Sequence, residues 1–338
     1  MLAQVRYWYQ LAYAAVWLAL GFARAARYFR TRALHDLALP HPEALHSGEK
    51  RRLKHYFYGT TYLGIVFCLL HGRTRSRQER HLFTNLAALA YYFDDLVDLF
   101  RGQDGSDILW RNNPEAYGAL ADQRGLALHL LHNIYSALPP GDLHEFKDFM
   151  HRVFNVETAG RQVKGNISDA ELQHITAEKG GFSVLLFRRV LASPLPQQER
   201  EALYDFGALV QLCDDIFDLW HDRQVGTQTL ATCYAAQSAT DALVQTFERQ
   251  VQAVETSFAG LRQQKLAGGH ALGSVYFLIA ITRVCLQHYA ELQKKHGTLP
   301  LDDRTRMVVD MERWPNRLRA AKALLMNRPL PSGTNNKS

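Results

Sequence analysis

The residues QLCDDIFDLWHD at 211–222 place four acids in a stretch that otherwise reads as protein interior. On a helix Asp214, Asp218 and Asp222 stand at i, i+4 and i+8 on one stripe, with Asp215 beside them. The preceding LYDFGALVQLC is almost wholly apolar, which predicts a largely buried helix. A second stretch, YYFDDLVDLF at 91–100, repeats the device: Asp94 and Asp98 are four apart, Asp95 joins the edge of their face, and ALAYYF precedes them. A buried, unpaired carboxylate is costly, and like charges one turn apart raise the cost. Something positive is expected at both stripes.

Working outward, the chain reads as helix nearly throughout. Apolar-periodic segments run over 4–37, 49–71, 78–100, 115–137, 142–165, 168–193, 197–222, 228–260, 266–295 and 302–327. Turn signals separate them, among them LPHPEALHSGE at 39–49, RGQDGSD at 101–107, LPPGD at 138–142 and ASPLP at 192–196. No period-2 alternation is sustained and no glycine-rich loop follows a strand, so a Rossmann fold or P-loop is poorly supported. The expectation is an all-α fold: a single helical bundle of about ten helices over 1–330, with 331–338 a flexible tail.

Composition agrees with a folded chain. Its 338 residues are 47% hydrophobic and 11% aromatic, enough for a large core. The net charge of +6 permits anionic partners without indicating nucleic acid. Cys68, Cys213, Cys233 and Cys285 form no CxxC pair, so reduced thiols in a cytoplasmic protein are the simpler reading. Tyr7 to Ala23 carries no charge and is followed by Arg24, Arg27, Arg30 and Arg32. Three readings stand in order: a packed core helix, a helix lying peripherally on a membrane surface, and a span. The apolar stretch GGHALGSVYFLIAIT at 268–282 raises the same question more weakly.

Hard divalent cations explain the paired aspartates. Magnesium takes oxygen ligands, keeps several waters, and works with one or two carboxylates plus substrate phosphates. Two facing stripes, Asp94/Asp95/Asp98 and Asp214/Asp215/Asp218/Asp222, would hold magnesium ions around a diphosphate. Lys50, Arg51, Arg52, Arg161, Lys164, Lys179 and Arg223 are candidates to complete the clamp. The competing reading is structural: the aspartates cap helices or pair with neighbours such as Arg101 and Arg223.

FGALVQLCDDIFDLWHDRQVGTQT at 206–229 resembles the second aspartate-rich pattern of the class I isoprenoid-diphosphate enzymes, which include trans-prenyl diphosphate synthases, squalene/phytoene synthases and terpene synthases. YYFDDLVD is similar to their first motif. Weaker similarities are GEKRRLK at 48–54, AGRQVKG at 159–165 and TAEKGGFS at 176–183, so the resemblance covers about 48–229. It implies a bundle around a deep apolar cavity, three magnesium ions with diphosphate bound, an allylic prenyl diphosphate substrate and a homodimer. Asp94, Asp98, Asp214 and Asp218 would act in catalysis, and Gln211 would join the diphosphate-binding residues. Tyr92, Phe93, Phe154, Phe182, Phe187 and Phe206, with Trp220, would line the cavity. Departures matter: Arg101-Gly102 replaces paired arginines, no histidine stands shortly before Asp94, and Gly180 replaces a threonine after Lys179. These gaps weaken a second, isopentenyl diphosphate pocket. The expected function is therefore a terpene synthase, with chain elongation next and head-to-head condensation third. The rivals from other classes are a magnesium-dependent phosphohydrolase and a non-catalytic helical protein.

Overall fold

The apolar periodicity around both aspartate stretches is realised as helix. The computed structural model of the protein describes residues 2–33, 35, 37, 47–99, 123–162, 167–261, 266–311 and 313–326, with backbone alone at 2–3, 47, 94–96, 98–99, 123–124 and 159–162. The described residues contain thirteen α-helices and no strand. They are α1 (Leu2–Tyr28, followed by a π turn at Phe29–Ala33), α2 (Ser47–His71), α3 (Arg77–Leu99), α4 (Gln123–Ala137), α5 (Pro140–Gln162), α6 (Asp169–Arg189) and α7 (Gln197–Phe217). There follow α8 (Leu219–Val225), α9 (Leu230–Ala236), α10 (Thr240–Gly260), α11 (Gly268–His296), α12 (Arg304–Met307) and α13 (Trp314–Met326). The expected tail at 331–338 lies outside the described residues, as does the 115–122 part of the helix expected over 115–137.

Three segments expected as single helices are each divided. The 197–222 segment breaks at Asp218, which has φ −92° and ψ 6°. The 228–260 segment breaks where Ser238 adopts a positive φ of 55°, a conformation that no α-helix continues through. The 302–327 segment breaks at Val308, in extended conformation with ψ 118°. Apolar spacing runs through all three positions, so periodicity alone does not show the breaks.

The chain divides into two compact units, Met1–Val16 with Leu212–Ser338, and Trp17–Gln211. In the Trp17–Gln211 unit, α1 runs antiparallel to α2: Gly21 abuts Ile65, while Tyr28 stacks on Phe57 at 6.0 Å and Phe29 meets it tilted at 5.3 Å. α3 packs on α4 and α2, and α5 on α6. Two carboxylates fasten helix ends here. Glu199, in the first turn of α7, meets His71 Nε2 at the end of α2 (2.8 Å) and Arg188 Nε near the end of α6 (2.6 Å). An acid at a helix start and an arginine near a helix end also match the helix dipoles. Glu79 accepts from Arg73 at 2.6 and 2.8 Å and from the Ser76 and Ala192 N–H groups at 2.6 and 2.9 Å.

In the other unit α11 is the central helix, with α10 and α13 packed on it. It is the one helix among the described residues long and apolar enough to cross a membrane, and 67% of that stretch is buried inside the protein. α1 seats its face of Tyr7, Gln10, Leu11 and Ala14 inward. Gly273 of α11 lets the Gln10 carbonyl approach, since an added Cβ would come within 2.5 Å of that oxygen. Arg283 of α11 holds Glu248 of α10 by two bonds of 2.7 and 2.6 Å.

Candidate functional site

The break at Asp218 leaves the aspartate stripe in register. Asp218 N–H donates to Asp214 O (2.9 Å) and Asp222 N–H donates to Asp218 O (2.8 Å), so the i→i+4 ladder passes straight through the stripe. Asp214 and Asp218 are exposed and Asp222 is half-buried. The opposite face, Leu212, Cys213, Ile216 and Leu219, is buried. Asp215 falls on that side and is 6% exposed, so the four aspartates divide into an outward stripe of three and one inward carboxylate.

The junction between α7 and α8 is held from α11. The last turn of a helix leaves carbonyls without intrahelical donors. Tyr289 O–H, itself buried, donates to Ile216 O at 3.1 Å and fills that need. Burial raises the Tyr289 phenol, and the neighbouring Cys285 and Asp218 charges raise it further. Burial likewise pushes the Cys213 thiol up to about 12; a hydrogen bond with Thr282 opposes the rise, while Asp214, Cys285 and Asp215 add to it. After α8, Gly226 takes a left-handed φ of 77° and Thr227 N–H closes onto Asp222 O at 2.9 Å. Arg223 is exposed on α8, and Arg304 covers the ring of Trp220 at 5.6 Å.

One turn before the aspartates, α7 meets α6 backbone to backbone. A Cβ at Gly180 or at Gly207 would lie under 3.0 Å from the carbonyl oxygen of the other residue. The Gly180 position also abuts Gln211, whose Cβ would sit 2.7 Å from the added atom. This contact brings together Gln211 and the segment carrying Lys179. Lys179 Nζ pairs with Glu157 Oε1 of α5 at 2.8 Å. Gln211, Lys179 and Glu157 thus link three helices within the Trp17–Gln211 unit.

The other predicted residues are placed less closely. Asp94, Asp95 and Asp98 fall in the last turns of α3 and Arg161 in the last turn of α5; their side chains lie outside the described residues, as does Lys164 entirely. Lys50 and Arg51 are exposed in the first turns of α2. Among the described residues no group of three or more His, Cys, Asp or Glu side chains is placed to hold a metal ion. The stripe offers Asp214 and Asp218 one turn apart instead, and Asp218 makes no capping bond with its side chain. One or two carboxylates completed by water and phosphate oxygens is the donor set magnesium takes, so these residues fit that ion.

The aromatic candidates are mostly core residues. Tyr92, Phe154, Phe187 and Phe206 are buried, with Phe187 on Phe83 (5.2 Å) and Phe206 on Tyr62 (6.4 Å), and Phe93 is half-buried. Phe182 differs. It lines an open groove of about 340 Å³ with Phe149, Arg152, Arg200, Tyr204 and Asp205. Arg152 covers the Phe182 ring at 4.9 Å and Arg200 covers Phe149 at 5.1 Å, so the chain's own cations already occupy these ring faces. The Gly180–Gly207 contact and the Tyr289 anchor are absent from the sequence-level candidates. The paired glycines in KGGFS and DFGAL were the signal for the first.

No family model, curated protein or solved structure matches the chain. What the fold and site define is an all-α, multi-helix protein carrying an outward aspartate stripe at a helix junction.

Proposed function

We propose that the protein is a class I terpene synthase, which ionises an allylic prenyl diphosphate and resolves the cation by cyclisation or proton loss, releasing diphosphate. The observation that carries this reading is the stripe of Asp214, Asp218 and Asp222, kept in register by backbone bonds and turned outward from an apolar helix.

In this reading Asp214 and Asp218 would hold magnesium, with Asp222 beside them, and the resemblance would assign Asp94 and Asp98 the role of the second stripe. Bound magnesium would neutralise charge on the departing diphosphate. Gln211 and Lys179 donate to diphosphate oxygens, and Lys179 exchanges its Glu157 partner for phosphate as substrate enters. The side chain missing at Gly180 leaves no hydroxyl for a second diphosphate, which favours a single allylic substrate over elongation.

The test is purified protein with geranyl, farnesyl or geranylgeranyl diphosphate, each with and without isopentenyl diphosphate, in magnesium or in EDTA. Hydrocarbon or alcohol from an allylic substrate alone, lost in EDTA and in Asp214→Ala, is the expected result. Longer diphosphates formed only with isopentenyl diphosphate would reassign the protein to chain elongation. A head-to-head dimer of the allylic substrate would reassign it to condensation. No product, with diphosphate binding unchanged in Asp94→Ala and Asp214→Ala, would make the stripes structural.

A further inference from the structure

Among the described residues, most of the large apolar side chains left in solvent are on two helices. α1 exposes Val5, Trp8, Tyr9, Val16 and Leu20, and α13 exposes Trp314, Leu318, Leu325 and Met326. The two helices are adjacent, because Tyr7 O–H of α1 donates to Leu324 O of α13 at 2.8 Å. On each, the exposed residues recur at helical spacing. Val5, Tyr9, Ala12, Val16, Leu20 and Ala23 follow one another three or four residues apart, opposite the buried face of Tyr7, Gln10, Leu11 and Ala14. Trp314, Leu318, Ala321 and Leu325 do the same on α13.

The charge on both helices has one sign. The α1 stripe continues into exposed Arg27 and Arg30, flanked by exposed Arg24 and Arg32, and no acid precedes Asp36 in the chain. The antiparallel register of α1 on α2 brings exposed Arg52 and Lys54 alongside. α13 contains no acid and exposes Arg317, Arg319 and Lys322.

We propose that the exposed stripe of α1 docks on an anionic lipid bilayer, with Val5, Trp8, Tyr9, Val16 and Leu20 entering the interface and Arg24, Arg27, Arg30 and Arg32 meeting the headgroups. Docking on a second copy through this face would set like charges against each other without an acid on either helix. A nucleic acid would satisfy the arginines and leave Val5, Val16 and Leu20 without a partner. The proposal does not rest on terpene-synthase chemistry.

The experiment is cosedimentation of the full chain with phosphatidylcholine vesicles, with or without 30% phosphatidylglycerol, at low and high salt. The expected result is partitioning at least tenfold stronger onto the anionic vesicles and weakened by salt. Arg27→Ala and Arg30→Ala should each weaken it about fivefold. The double variant Val16→Ala, Leu20→Ala should weaken it by at least as much, with helical circular dichroism and melting unchanged because these side chains are exposed. No partitioning, or equal partitioning onto both vesicle types that ignores the arginines, overturns the proposal. So does a concentration-dependent dimer abolished by the Val16→Ala, Leu20→Ala double variant, which would assign the face to a second copy. Binding of single-stranded RNA in place of vesicles, lost in the arginine variants, would assign it to nucleic acid.

Discussion

Gly180 and Gly207 touch across two helices with no side chain between them: a Cβ on either would lie under 3.0 Å from the backbone oxygen of the other. Helix propensity favours alanine over glycine by about 1 kcal/mol, yet the clash is with main chain, which cannot rotate away. Gly180→Ala and Gly207→Ala should each destabilise the protein by about 1–3 kcal/mol. Gly59 of α2 has open space around its Cβ position, and Gly59→Ala should stabilise by about 0.5–1 kcal/mol. Urea unfolding of the three variants separates the opposite signs.

The aspartates near 214 should separate by burial. Asp214→Asn and Asp218→Asn alter exposed positions and should leave unfolding within about 0.5 kcal/mol of wild type while removing magnesium-stimulated turnover of an allylic diphosphate by about a hundredfold or more. Asp215→Ala removes a buried carboxylate and should cost about 1–3 kcal/mol through the polar groups it leaves behind. Melting curves and turnover for the same variants test both halves.

Glu79 predicts an acid limb. Burial alone would raise its carboxyl, but the Arg73 guanidinium and the Ser76 and Ala192 N–H donors outweigh burial and hold it at about 2, below its ordinary 4.5. A carboxyl lowered by folding stabilises the folded state above 4.5, and this contribution fades as pH falls toward about 2. Discounted for the partly open Arg73, it is worth roughly 2 kcal/mol. Glu79→Gln should lose that much at pH 7 and flatten the stability profile over this window, read from urea midpoints at successive pH values.

The cysteines predict an order of thiol reactivity. Burial pushes Cys213 and Cys285 up to about 12 and raises Cys68 as well, so few thiolates form at pH 8. Cys233 is half-buried and the other three are buried. A disulfide reagent should modify Cys233 first and reach Cys213 and Cys285 only on unfolding, as peptide mapping of partially labelled protein would show.

The sequence by itself determined that the chain is helical and set the aspartate register, though not the breaks at Asp218, Ser238 and Val308, because helicity and register depend on neighbours three and four residues away. Spacing alone puts Asp214, Asp218 and Asp222 on one stripe, and the backbone bonds between them follow it even across a break in the helix. Tertiary structure decided what depends on a distant segment. The inward turn of Asp215, one residue from an exposed Asp214, follows from which face of α7 is packed. The hydroxyl that secures the Ile216 carbonyl comes from Tyr289, 73 residues on, and the His71 that meets Glu199 lies 128 residues before it. Glycine at 180, where the resemblance called for threonine, is explained only by the arrival of Gly207. Apolar periodicity tells a helix which face to bury; it does not say against what.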